Sequence, residues 1–188
     1  LGVEADLCTF AKAIGNGYPI SAVAGREEIM RCIGDGVVHG GTYTAHSVSL
    51  AAANKTLEIL EETDALASID KYGTDLQQGL SRILNARSIP HAFTGHPSLM
   101  GLFFREDAPK DYRDWVNSDY EFYDTLAPEL HALGIIVEPD SREPFFICEA
   151  HDAQCLEDTL DRFERAVDVT IKKIAAGQTT HRKWGAIE

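Results

Sequence analysis

The chain has 188 residues, 44% hydrophobic and 25% charged, enough apolar material for one large domain or two small ones with a real core. Thirty acidic against 17 basic residues give a formal charge of −13, which argues against a nucleic-acid-binding surface and against docking on anionic membranes. No apolar run reaches the roughly 18 residues of a spanning helix.

In chain order, Leu7 to Phe10 is a short apolar run, long enough for a buried strand, and Lys12 follows it. Gly15-Asn16-Gly17-Tyr18-Pro19 is too rich in turn residues for helix or regular strand. A second apolar run, Ile20 to Ala24, ends at Gly25. Burial between two such runs favours the neutral amine of a lysine, and neutral amines attack aldehydes, most commonly that of pyridoxal phosphate. The plainer alternative is a strand-end lysine whose head reaches water.

Arg26 to Ile33 reads as a short helix with Ile29, Met30 and Ile33 on one face, stopped by Gly34-Asp35-Gly36. His39-Gly40-Gly41-Thr42-Tyr43-Thr44-Ala45-His46 then leads into a small-residue helix, Ser47 to Glu61. Glycines, a hydroxyl and a helix start can form an anion site. They can equally be an ordinary helix start with a Thr or Ser cap.

Asp64 to Asn85 is helical by its stripe of Leu66, Ile69, Tyr72, Leu76, Leu80 and Ile83. His91 to Gly95 and Ser98 to Phe104 read as strands around a Gly-His-Pro turn. Glu106 to Asn117 reads as an exposed polar loop that includes Trp115. Asp119 to Leu133 is helical, with a break expected near Ala127 because Pro128 follows. Ile135-Ile136-Val137 and Pro144 to Cys148 read as strands. Leu156, Leu160, Phe163, Val167, Ile171 and Ile174 define a closing helix. This is an α+β unit from about residue 50 onward, followed by a polar tail from Gly177 with His181-Arg182-Lys183 that is expected to be loosely ordered. Cys8, Cys32, Cys148 and Cys155 include no CxxC pair. Cys8 and Cys148 read as buried thiols, no metal site is indicated, and a cytoplasmic setting fits.

DLCTFAKAIGNGYPISAVAGREEIM, Asp6 to Met30, resembles the lysine segment of class III pyridoxal-phosphate-dependent aminotransferases. Within that family it is most similar to the branch containing glutamate-1-semialdehyde aminomutase. The resemblance implies an α/β fold: the end of a fold type I large cofactor domain (residues 1–50), a small α+β C-terminal domain (residues 51–176) and a tail (residues 177–188). It implies pyridoxal 5′-phosphate as cofactor and Lys12 as the catalytic Schiff-base lysine. It also implies that Gly41 and Thr42 reach across a homodimer interface, with Thr42 on the phosphate of the neighbouring subunit. Thr44-Ala45-His46-Ser47 departs from the family's commoner small-Gly-Asn/His-Pro continuation, after the phosphate ligand.

GIIVEPDSREPFFICEAH, Gly134 to His151, resembles the family's last active-site element, a turn over the substrate mouth. Glu143 matches a glutamate of the aminomutase branch. Arg142 lies one position off the arginine that binds a substrate carboxylate in many aminotransferases. The alternative is a charged surface turn. His39 and His46 lie near the phosphate loop, and His151 is a helix-entry residue. In this family the lysine sits past the middle of a much longer chain, so the sequence reads as a C-terminal portion, the remainder of the site lying upstream. The implied activity moves an amino group between an amine or amino acid and a keto acid or aldehyde. Alternatives are an intramolecular aminomutase, other lysine-linked chemistry such as decarboxylation or racemisation, and an inactive fragment. The partners are small molecules, with neither nucleic acid nor membrane.

Overall fold

The computed structural model describes residue 2 and residues 4–179. The polar-tail expectation at His181-Arg182-Lys183 falls outside them. The chain divides into two compact units, one through Ala65 and one from Leu66. Among the described residues no helix is long and apolar enough to cross a membrane.

In the first unit β1 (Leu7–Phe10) pairs antiparallel with β2 (Ala22–Gly25), with Leu7 opposite Gly25 and Phe10 opposite Ala22. The turn residues between the two apolar runs let the chain reverse. A Cβ on Gly25 would stand 2.3 Å from the Asp6 carbonyl oxygen, so the register needs glycine there. β1 is exposed along its length rather than buried, because β2 is its partner and the sheet has two strands. Cys8, on β1, is exposed with it. Helix α1 is the single turn Glu27–Met30, shorter than Arg26 to Ile33. Beyond it the chain folds back, with the Asp35 and Val37 amides donating to Cys32 O, and this replaces further helical bonds. Helix α2 (Ser47–Glu62) packs against a 3-10 turn over Lys12–Gly15.

The second unit holds α3 (Ala65–Asn85), β3 (Ala92–His96), β4 (Leu99–Phe103), α4 (Tyr112–Trp115), α5 (Tyr120–Ala132), β5 (Phe145–Phe146) and α6 (Ala153–Ala175). Its sheet is antiparallel in the order β3-β4-β5. Tyr72, Leu76, Leu80 and Leu84 form the buried stripe of α3 at four-residue spacing, whereas Leu66 is exposed. That stripe meets Met100 and Leu102 of β4, Phe122, Leu126 and Leu130 of α5, and Phe163 and Val167 of α6. Gly79 permits the close approach of α3 to α6: a Cβ there would lie 2.4 Å from a Leu160 methyl.

Four expectations fail in this unit for identifiable reasons. Helix α5 runs unbroken through Pro128. An interior proline costs about 3 kcal/mol, but five flanking side chains, Phe122, Tyr123, Leu126, Ala127 and Leu130, are buried, and each large one contributes about 1.5–3 kcal/mol. Ile135-Ile136-Val137 is not a strand. Its backbone is held by side chains instead, His131 Nε2 donating to Val137 O at 2.6 Å and the Tyr123 hydroxyl to Glu138 O at 2.9 Å. The strand at Pro144 to Cys148 shrinks to two residues at a sheet edge, which leaves Cys148 exposed beyond the ladder. Trp115 is buried, not in an exposed loop, because the loop folds into α4, capped by the Asp111 carboxylate at the Asp114 amide (2.8 Å).

Candidate active site

Lys12 opens the 3-10 turn directly after β1, with a left-handed backbone at φ 55°. That region is sparsely used by non-glycine residues and costs on the order of 1–3 kcal/mol. It turns the chain out of the strand direction at the lysine. Gly15 behind it is buried, and a Cβ there would lie 2.5 Å from the Ile20 side chain, so the turn closes tightly. Asn16 and Gly17 complete the reversal with φ 45° and 98°. Lys12 is exposed, not enclosed by the apolar runs, and among the described residues its amine forms no hydrogen bond or ion pair. An uncommitted amine suits the covalent anchoring of an aldehyde.

Gly41 and Thr42 belong to the loop before α2. The Thr44 amide donates to Gly41 O at 3.0 Å and the His46 amide to Tyr43 O at 3.1 Å. Helix α2 is capped by neither threonine nor serine. His46 is the cap, its Nδ1 accepting from the Ser49 amide at 3.2 Å. The imidazole has the reach and the lone pair to take this place, and it leaves the Thr42 side chain, exposed four residues upstream, without a hydrogen bond among the described residues. His39 is exposed in the same stretch.

In the second unit Arg142 and Glu143 occupy a tight turn in which the Glu143 amide donates to Asp140 O and the Arg142 amide to the Asp140 carboxylate. Arg142 Nε donates to both Asp140 carboxylate oxygens at 3.0 and 2.9 Å, and Nη2 pairs with the same group. Asp140 accordingly holds the guanidinium proton more tightly than usual. The guanidinium carbon lies 4.9 Å from the Trp115 ring centre and 5.9 Å from that of Tyr112. Trp115 Nε1 donates to the Ser141 hydroxyl at 3.0 Å, so indole and turn are tied at two points. A recess of about 250 Å³ opens beside them, with Arg142, Tyr112, Lys110 and Thr94 in its wall. Glu143 is exposed.

Sequence reasoning passed over Trp115 and Asp140. Asp140 carried a readable signal, the Asp-Ser-Arg spacing of a turn whose carboxylate caps its own backbone. Trp115 carried none, since it lies in a stretch of mostly polar residues. His151 fits its helix-entry reading: Nδ1 accepts from the Cys148 amide at 3.0 Å, the ring stacks on Tyr72 at 5.2 Å, and Asp152 caps α6.

The aminotransferase class-III family profile matches residues 1–167. A glutamate-1-semialdehyde 2,1-aminomutase of Methanothrix thermoacetophila is 34% identical over 164 residues, covering 86% of this chain and 38% of that protein. The Thermus thermophilus protein of the same name is 32% identical over 170 residues, covering 89% and 40%. Among solved structures, the PLP internal aldimine form of Sphingopyxis sp. MTA144 FumI aligns with a TM-score of 0.80 at 26% identity, over 93% of this chain and 39% of that one. An omega-transaminase from Sphaerobacter thermophilus aligns with a TM-score of 0.79 at 25% identity, over 90% and 40%. The chain therefore spans about two-fifths of the length of the relatives it matches. Its mixed helix and sheet are part of the fold type I architecture of these enzymes. The chain belongs to the class III aminotransferase family.

Proposed function

We propose that the protein transfers an amino group between an amine or amino acid and a keto acid or aldehyde, with Lys12 as its catalytic residue. The observation that carries this is the uncommitted Lys12 amine, set in a left-handed turn at the end of β1. When bound, pyridoxal phosphate supplies the electron sink for a carbanion at the substrate carbon. Lys12 Nζ would anchor the cofactor and, once displaced by the substrate amine, would take a proton from the substrate α-carbon as general base and deliver it, as general acid, to the cofactor carbon that keeps the amino group. The Thr42 hydroxyl, supported by the Gly41 backbone, donates to the cofactor phosphate of a neighbouring subunit in a homodimer. Arg142 contacts a substrate carboxylate at the mouth, with the aromatic stack fixing the plane of its guanidinium. The first compact unit is then the end of a larger cofactor domain and the second the small C-terminal domain. Four free thiols support a cytoplasmic setting.

An intramolecular aminomutase is the second reading. It is favoured by the aminomutase names of the curated relatives and by Glu143 in the mouth turn.

Borohydride reduction in the presence of pyridoxal phosphate, followed by peptide mass mapping, tests the assignment. The cofactor mass is expected on the Lys12 peptide, and Lys12→Ala is expected to lose both the adduct and turnover. An adduct fixed on another lysine, or turnover surviving in Lys12→Ala, refutes it.

A further inference from the structure

We infer that His46 is the positioning residue of the Thr42 loop, and that it holds the loop only as the neutral imidazole. The inference rests on the phosphate role proposed for Thr42. The first turn of a helix leaves amide donors without partners, and in α2 the donor of Ser49 is met by His46 Nδ1 at 3.2 Å. Nδ1 also lies 2.9 Å from Ser49 Oγ. A backbone N–H can only donate, so Nδ1 carries no proton and Nε2 does. Ser49 is 1% exposed, so its amide has no water to turn to.

The loop is strung from this point. The His46 amide donates to Tyr43 O, the Thr44 amide to Gly41 O, and Ala45 between them sits at φ 59°. Alanine in the left-handed region persists only while its surroundings impose it. The Tyr43 ring stands edge-on to the imidazole, 6.4 Å between centres. Releasing His46 therefore frees two consecutive turns, and Thr42 with them.

Protonation does release it. A proton on Nδ1 can be accepted by Ser49 Oγ, but the buried Ser49 amide then loses its acceptor. The new cation also stands at the positive end of the α2 dipole. Among the described residues the nearby titratable groups do not compensate. Tyr43 and His39 lie in the loop, and Lys12 is on the 3-10 turn packed against α2. The first carboxylate along α2, Glu58, lies about 18 Å up a helix that rises 1.5 Å per residue, and it pairs with Lys55. Loop order is therefore lost wherever the imidazole takes up a second proton.

The test compares wild type, His46→Asn, His46→Ala and Thr42→Ala in the full-length protein. Pyridoxal phosphate affinity is read by absorbance titration at pH 7.5 and 5.5. Amide exchange of Ser49 is read without cofactor, relative to its α2 neighbours. Asparagine caps without titrating, so His46→Asn is expected to keep cofactor affinity and Ser49 protection at both pH values. His46→Ala is expected to lose about tenfold in affinity at pH 7.5, together with Ser49 protection. Wild type is expected to fall about tenfold further than His46→Asn on acidification, a difference that cancels the cofactor's own titration. Superimposed pH profiles for wild type and His46→Asn, or wild-type Ser49 protection in His46→Ala, overturn the inference. Unchanged affinity in Thr42→Ala would refute the phosphate reading alone, and Ser49 exchange would still decide the role of His46.

Discussion

The two compact units differ in how they treat their apolar residues. The unit from Leu66 buries Phe163, Leu84, Met100 and Leu126 almost completely in one cluster. The unit through Ala65 buries two alanines, Ala53 and Ala65, and leaves Leu7, Phe10 and Tyr43 about half exposed or more and Val38 96% exposed. Yet the first unit carries Lys12 and Thr42, the residues proposed to hold the cofactor. The difference teaches that scaffold and chemistry do not coincide here. The second unit closes its own core, whereas Lys12 stands in a strained conformation on an exposed turn after β1, a strand that is itself exposed along its length. In the relatives, about three-fifths of the chain lies beyond the matched part.

The largest effect that could break this comparison is a core deletion. Phe163→Ala is expected to cost about 3–5 kcal/mol in urea denaturation, while Val38→Ala stays within about 0.5 kcal/mol. Equal losses at both sites would show that Val38 is covered in solution and that the first unit is less open than its surface indicates.

A middle-sized effect sharpens the second unit's share of the chemistry. Arg142→Ala is expected to raise KM for carboxylate-bearing donors at least tenfold over plain amines, the scale of a charge-assisted contact of roughly 1.5–3 kcal/mol. Glu143→Gln is expected to favour the same donors, because it removes a repelling charge. A panel of paired amines and amino acids in which neither variant discriminates would reduce both side chains to struts of the Trp115 turn.

The smallest effect is a pH slope confined to the second unit. Arg87 Nε donates to Asp168 at 2.6 Å, and this hydrogen bond holds the Asp168 carboxyl below its ordinary range. A depressed carboxyl adds stability above its unfolded pKa of about 3.9, and that stability is lost as pH falls further. With Asp168 48% exposed, solvent screening keeps the contribution below about 1 kcal/mol. Melting temperatures of Arg87→Leu and wild type are expected to converge slightly between pH 5 and pH 3. A constant gap would remove the pair from the acid response.

Long periodic elements were legible in the sequence. The stripes of α3 and α6 are visible because each helix buries one face against a continuous core, and α2 begins at the residue expected. Legibility failed where tertiary contacts overrode local preference. Ile135 to Val137 has every strand propensity but no neighbouring strand, so His131 takes the Val137 carbonyl and Tyr123 the next one, that of Glu138. Pro128 is tolerated because burial on both sides outweighs one lost helical bond. Lys12 was placed by its order in a family-like segment, not by burial, and the reason offered from burial does not hold, since the side chain is exposed. The cap at His46 was hidden because histidine is an uncommon cap whose tautomer only geometry reveals.

The stack of Arg142 on Trp115 has an optical consequence. A buried indole that donates to Ser141 and lies under a guanidinium emits from a fixed electrostatic environment. Any ligand that draws Arg142 off the ring changes that environment without touching the indole itself. These 188 residues hold two tryptophans, so a Trp184→Phe background leaves Trp115 as their one indole emitter. Its fluorescence then follows occupancy of the mouth turn directly, with no label attached and no turnover required.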